Sequence, residues 1–235
     1  MIRQFLALIG LGCLLLAYAS TSVAVPLPWR YGVGSNIDDI WASKAEFSRN
    51  GKLFYADGGA GIYGAALGKD IIEKNYYWAG GRGLPTDGLP VPDQALIEVV
   101  SFYDRKRYRI KVDLPVNLEQ QMRQRYLVEG RQERRDELYF GLAPGGYYEV
   151  LLMGRALGAS PDLLLARGIA QEVTDDWYDK KFPIGVTQFT VTLRNFDKKY
   201  GAVFKQYPVP LGMAWAPIMD AYRAKQPRTD QKPIP

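Results

Sequence analysis

Strict alternation of apolar and charged residues in the middle of the chain constrains its fold more than any other feature. Between residues 107 and 114, charged side chains alternate with apolar ones at Tyr108, Ile110, Val112 and Leu114. Because successive side chains of a strand point to opposite faces, this pattern predicts a strand with one buried and one solvent-exposed face. A β-branched and aromatic run at residues 95–103 precedes it. We therefore predict a β-hairpin over residues 95–113.

Other segments have strand-like composition and are separated by residues that favour turns. The predicted strands are residues 29–34, 40–47, 52–56, 137–142 and 147–153. Asn50-Gly51 is a dipeptide typical of a two-residue hairpin turn. Pro144-Gly145-Gly146 combines a fixed dihedral angle with residues that tolerate positive φ. These turns predict antiparallel pairing of the strands that flank them.

Helix signals are fewer and are scattered between the strands. Asn117 can cap a helix that places Leu118, Met122 and Tyr126 on one face. Ser160-Pro161 predicts a helix start before residues 163–166, and residues 215–225 predict a late helix. Residues 186–193 are strand-like. The sequence therefore predicts an α+β fold, mainly antiparallel β, with a sandwich-like sheet and two or three short helices.

The amino-terminal segment has the three parts of a secretory leader. A short head with Arg3 precedes the uncharged residues 5–19, which end in Ala17-Tyr18-Ala19. This pattern predicts export with cleavage of residues 1–19. Two alternatives stay open, an uncleaved leader and a lipid on Cys13, and either would attach the protein to a membrane.

The composition suggests a simple division of the rest of the chain. We expect a strand-rich globular domain at 20–175, a C-terminal extension packed on it at 176–225, and a disordered tail at 226–235. The tail is polar and rich in proline, which is typical of disorder.

The residue types exclude several chemistries. The chain has no histidine and one cysteine, which lies in the predicted leader. Histidine-dependent triads and the usual zinc sites therefore cannot form in the remaining chain. The glycine pattern at 59–64 lacks the strand and helix context of a dinucleotide site. We expect no catalytic residues, no metal and no cofactor, and interpret the acidic pairs at 38–39 and 175–176 as solvated turns.

A binding surface is the alternative to a catalytic centre. Residues 123–137 contain five arginines and four acidic residues, a mixture that also suits a solvated helix end and loop. Tyrosine, tryptophan and arginine are the side chains that protein interfaces favour. Tyr76-Tyr77-Trp78 is the first candidate for an exposed aromatic patch, and Tyr147-Tyr148 is the second. The candidate partner-binding residues are Tyr76, Tyr77, Trp78, Arg82, Arg131, Arg134 and Arg135. The mixed charges do not favour a nucleic-acid partner.

Several segments together resemble a known family. They are the YFGLAPGG motif at 139–146, Asp113-Leu114-Pro115, the PWRYG motif at 28–32 and the ARG motif at 166–168. Over residues 28–172 the chain resembles the domain of unknown function 2931 family. Members often carry a lipid-attachment motif and a tryptophan after the double glycine, where this chain has a poor motif and Leu151-Leu152-Met153.

This resemblance implies an envelope protein of Gram-negative bacteria and supplies no catalytic residues. Some family members accompany type VI secretion toxins. We therefore expect a periplasmic, non-enzymatic binding protein. Its most specific form is an immunity protein that neutralises such a toxin, for example a phospholipase. The alternative is an envelope structural or small-ligand-binding protein, and an enzyme that uses carboxylates and tyrosines is the third hypothesis.

Overall fold

The computed structural model describes residues 27–37, 40–58, 62–63, 68–78, 84–128, 130–154, 162–174, 190–227 and 233–234. The predicted leader with Cys13, the acidic pairs at 38–39 and 175–176, and Arg82 lie outside these residues. In the glycine pattern only residues 62–63 are described. Cleavage and the division into domain, extension and tail stay predictions.

The first of two sheets has seven strands. They are β1 (Arg30–Ser35), β5 (Leu84–Pro85), β8 (Arg125–Val128), β9 (Arg131–Ala143), β10 (Tyr147–Gly154), β11 (Leu163–Ile169) and β13 (Pro233–Ile234). Their order is β11-β10-β9-β1-β5, while β8 pairs with both β9 and β13. β1 runs parallel to β9, and the other pairs are antiparallel. Two residues of the predicted tail thus form a strand.

The second sheet has six strands. They are β2 (Ile40–Arg49), β3 (Lys52–Asp57), β4 (Ile62–Tyr63), β6 (Gln94–Ser101), β7 (Lys106–Asp113) and β12 (Gln171–Glu172). Their order is β12-β7-β6-β2-β3, with β4 on β2, and all pairs are antiparallel. Asn50 and Gly51 both have positive φ, which is the backbone of the predicted hairpin turn. The hairpin over 95–113 is confirmed as β6 and β7.

The two sheets enclose the main hydrophobic core. The alternating residues of β7 point into it, together with buried residues of β1, β2, β6, β9 and β10. Phe47 lies at its centre, in contact with the rings of Trp29, Tyr31 and Phe140. The opposite face of β7 carries charged side chains, as the period of two requires, but it is not fully exposed as predicted, because Arg107 is buried while Lys111 and Asp113 are exposed. The sandwich-like arrangement and the α+β class are therefore confirmed.

A second hydrophobic cluster lies on the outer face of the seven-stranded sheet. The helices of the described residues are α1 (Gly68–Glu73), α2 (Leu118–Arg123), α3 (Thr190–Gln206) and α4 (Ala216–Ala224). Buried residues of α3 recur every three or four positions, at Leu193, Phe196, Tyr200 and Phe204. They pack with Trp215, Met219 and the outward side chains of β9 and β10. This cluster fixes the helices beside the strands that carry the candidate site.

Three sequence predictions of local structure are wrong. Tyr126 lies in β8 and not on a helix, because α2 ends at Arg123 and Gln124 turns the chain into extended backbone. Residues 163–166 lie in strand β11, because a short leucine run fits either element and pairing with β10 decides it. Residues 190–193 begin α3, because Leu193 opens its buried face. The predicted late helix is confirmed as α4.

Candidate functional site

The aromatic patch predicted at Tyr76-Tyr77-Trp78 is mostly buried. Tyr76 and Trp78 are only 8% and 2% exposed, and Tyr77 is half-buried. Trp78 lies over Gly141 of β9, where an added Cβ would be 2.5 Å from the indole ring. The absence of a side chain at this position leaves the space that the indole fills. The prediction of exposure is therefore wrong for Tyr76 and Trp78.

A buried carboxylate further explains the position of Trp78. The indole nitrogen donates to Glu149 Oε2 at 2.7 Å, and the Tyr147 hydroxyl donates to Glu149 Oε1 at 2.5 Å. Arg223 of α4 also forms an ion pair with Glu149. Glu149 and Tyr147 are completely buried, so Tyr147 is not part of an exposed pair. Three donors satisfy this carboxylate, which connects β10 to α4.

The predicted arginines belong to a hairpin formed by β8 and the beginning of β9. Arg125 pairs with Arg134, Tyr126 with Glu133, and Leu127 with Gln132 across the two strands. Residues 123–137 were interpreted as a solvated helix end and loop, and this is wrong for most of them because β8 pairs with the beginning of β9 and β10 pairs with the residues that follow. Residues directly opposite each other in an antiparallel pair share one face. Arg125, Leu127, Gln132 and Arg134 therefore share one face, which we call the arginine face.

The two arginines of this face differ in their partners. Arg134 Nε lies 3.1 Å from Asp136, whose side chain is completely buried. Arg125 donates only a long hydrogen bond, 3.4 Å, to the amide oxygen of Gln132. Within the described part of the chain, no carboxylate forms an ion pair with Arg125. Arg125 is exposed, whereas Arg134 is half-buried.

A concavity opens beside these arginines. Its volume is about 360 Å³, and it is lined by Arg125, Gln132, Glu133 and Arg134. Leu127, on the same face, is 50% exposed. The arginine face therefore presents cationic, amide and apolar groups, and Glu133 adds one carboxylate to the lining of the concavity.

The remaining predicted arginines lie on different parts of the hairpin. Arg135 is buried and its guanidinium lies 4.8 Å from the centre of the Tyr126 ring. A cation over an aromatic face is attracted to it, so Arg135 supports the hairpin and is not a surface anchor. Arg131 is exposed at the turn, opposite Val128. Of the predicted arginines that the structure describes, Arg131 is exposed and Arg134 is half-buried, and Arg125 is an exposed arginine that sequence reasoning did not single out.

The candidates for acid–base chemistry are two partly buried carboxyl groups, Glu137 and Asp162. Burial raises the pKa of Glu137, although Arg30 at 2.8 Å opposes the shift. Burial also raises the pKa of Asp162, although Gln226 at 2.7 Å opposes that shift. Both pKa values move in the same direction, whereas an acid and a base need values pushed apart. Glu137 and Asp162 therefore do not show the opposite pKa shifts expected of a general acid and a general base.

Within the described ranges, no group of three acidic or cysteine side chains is placed to hold a metal ion. Among the helices of those ranges, none has the length and apolar character needed to cross a membrane.

The family comparison extends the resemblance found in the sequence. A family model described as "Protein of unknown function (DUF2931)" matches residues 15–212. This range includes residues 28–172 and continues through α3 to the beginning of the turn at Gly212. No curated protein and no solved structure matches the chain.

Proposed function

This chain belongs to the family described as "Protein of unknown function (DUF2931)", and on that premise we propose that it is a non-enzymatic binding protein of the periplasm. Its arginine face receives an acidic surface of a protein partner. The observation that carries this proposal is the direct opposition of Arg125 and Arg134, of which only Arg134 forms an ion pair with a carboxylate of the described residues.

Like charges directly opposite each other destabilise a sheet. A carboxylate between the two guanidinium groups would remove this repulsion and form charge-assisted hydrogen bonds. Asp136 supplies such a group to Arg134 but not to Arg125. A glutamate or aspartate of the partner fits the concavity beside Arg125. The site is therefore incomplete electrostatically without a negative group from another molecule.

The apolar part of the face supports a protein partner. Exposed Leu127 lies next to Arg125 on the same side of β8. A phosphate or a free anion would leave this leucine in water, whereas a protein surface would cover it. Interfaces combine such apolar contacts with a few well-placed arginines.

In its most specific form, the partner is a toxin delivered by type VI secretion, and this protein is its immunity protein. The family resemblance supports this form, together with the predicted leader. Immunity by occlusion requires a complementary surface and no catalytic residue of its own.

Co-purification tests the proposal. The affinity-tagged full-length chain is recovered from cell envelopes together with neighbouring gene products, and bound proteins are identified by mass spectrometry. We expect one stoichiometric partner that is toxic when exported alone and harmless in the presence of this chain. Arg125→Glu should lose both capture and protection. Lys111→Glu is the matched control, because it reverses an exposed charge on β7 of the other sheet.

The proposal fails if Arg125→Glu captures and protects as well as the unchanged chain does. It also fails if no protein is retained at stoichiometric levels when the neighbouring products are supplied. Capture of a partner that is not toxic would support a binding role and contradict the immunity proposal.

A further inference from the structure

A second concavity lies away from the arginine face, between the end of α1 and α4. Its volume is about 350 Å³, within the lower part of the range of small-molecule sites. Its lining includes Lys74, Tyr76, Ile218, Tyr222 and Lys225. We call this concavity the lysine groove.

The α4 side of the groove is an apolar stripe. Pro217 and Ala221 are four residues apart, as are Ile218 and Tyr222, so they lie on adjacent rows of one helix face. Lys225 follows as the C-cap residue of α4. This side thus presents aliphatic surface that ends in one ammonium group.

The opposite side is held in place by the turn after α1. Lys74 has a positive φ of 55°, a conformation that costs free energy for a residue with a side chain. Asn75 stabilises the turn through its backbone nitrogen, 2.8 Å from Asp70 O, and its amide, 3.3 Å from Asp70 Oδ1. The turn places a second lysine beside the groove, and Asp70 accepts hydrogen bonds from Asn75 of this turn.

A rigid aromatic layer supports the groove. Tyr76 lines it, and behind Tyr76 the ring of completely buried Trp215 packs edge to face with a centroid distance of 4.8 Å. Such packing favours a preformed site that needs no rearrangement to accept a ligand.

The charges of the lining are one-sided. Among the described residues, the lining contains two lysines and no acidic side chain. Within the described ranges, neither Lys74 nor Lys225 forms an ion pair. An anion placed between them would gain two attractive interactions, and an attached chain could cover Ile218 and Pro217.

We infer that the lysine groove binds an amphipathic anion, a carboxylate or phosphate joined to a short alkyl chain. Free fatty acids and the single-chain or headgroup portions of membrane lipids share this chemistry. The site is separate from the arginine face and does not depend on the partner proposed there.

Titration with dodecyl phosphate and dodecanoate, both below their micelle concentrations, tests this inference on the full-length chain. Lys74→Ala and Lys225→Ala should each weaken binding about tenfold, since each removes one charge-assisted contact. Lys205→Ala is the matched control, because this exposed lysine lies on α3 outside the groove. Neutral dodecyl maltoside should bind at least about tenfold more weakly than dodecyl phosphate.

Vesicles of anionic phospholipid distinguish a membrane headgroup from a free amphiphile as the ligand. Binding to vesicles that Lys74→Ala and Lys225→Ala weaken supports the groove and identifies a membrane headgroup as the ligand. Binding of the monomeric anions alone supports the groove with a free amphiphile. Equal affinity for the neutral amphiphile, or equal weakening by Lys205→Ala, would overturn the inference, as would no binding of any anion. Circular dichroism shows that each variant is folded.

Discussion

The indole nitrogen of Trp78 lies 2.7 Å from Glu149 Oε2, inside a cluster that is otherwise formed by apolar side chains. The segment that ends at Trp78 is thereby attached to the middle of β10. Glu149 also holds Arg223 of α4, so one carboxylate joins a connecting segment, a sheet and a helix. The first prediction concerns the cost of disturbing it.

Glu149→Gln should lower the free energy of unfolding by about 3 kcal/mol, because it leaves the largely buried Arg223 without its charge partner. Urea denaturation gives this value. Asp220→Asn is the matched control, since Asp220 also pairs with Arg223 but is half exposed. Its cost should be about 1 kcal/mol or less. Equal costs for the two variants would contradict the structural role of Glu149.

Gly141→Ala should lower the free energy of unfolding by about 2 kcal/mol or more, because the new methyl group would overlap the Trp78 ring. Gly201→Ala on α3 is the control. An added Cβ there meets no atom within 4 Å, and alanine favours a helix over glycine. Thermal melting should show opposite shifts for the two variants. A tolerated Gly141→Ala would show that Trp78 does not cover β9 in solution.

The buried carboxyl of Asp162 predicts a pH dependence of stability. Burial raises the pKa of Asp162 above its ordinary value of 3.8, although the hydrogen bond from Gln226 opposes this shift. The folded state retains the proton where the unfolded chain has released it. The free energy of unfolding therefore falls as the pH rises from the ordinary value through the raised one.

Asp162→Asn removes this titration, so the loss of stability above about pH 4 should become less steep. Urea midpoints measured across the acid range check it. Asp220→Asn serves as a control of opposite sign, because the hydrogen bond from Arg167 lowers the pKa of Asp220. The ionised Asp220 carboxylate stabilises the folded state, and this contribution is lost as the pH falls. Parallel profiles for the unchanged chain and Asp162→Asn would refute this assignment.

The two opposed arginines should differ in their effect on stability. Arg125→Gln should change the free energy of unfolding by no more than about 0.5 kcal/mol, or raise it slightly, because it removes repulsion between like charges. Arg134→Gln should lower it by about 2 kcal/mol, because buried Asp136 loses a charged donor. Urea denaturation of both variants gives the comparison. A large loss in Arg125→Gln would indicate that Arg125 stabilises the fold and is not reserved for a partner.

The sequence predicted the parts of the fold that local patterns encode. The alternation around Ile110 predicted β7, and Asn50-Gly51 predicted the turn that its two positive φ values form. Both signals act between residues close in the chain. The sequence did not predict the strand at 131–136, because its charged residues lack apolar alternation and owe their conformation to pairing with β8 and β10.

The candidate site was predictable in part. The sequence placed arginines of a partner surface at 131–135, within the hairpin that the structure shows. It could not indicate that Asp136 neutralises Arg134 or that Arg125 lies opposite, since strand register decides both. It also could not indicate the burial of Trp78, which depends on Gly141, a residue far away in the chain. The sequence indicated which residue types a binding surface would use, and contacts between distant segments decide which of these side chains are exposed.

The central claim is tested most directly by titrating the captured partner into the purified chain. Arg125→Glu should weaken the affinity by about tenfold or more, and the weakening should diminish at high salt as the charges are screened. Lys111→Glu should retain the original affinity. Equal dissociation constants for Arg125→Glu and the unchanged chain would contradict the assignment of the arginine face as the partner-binding surface.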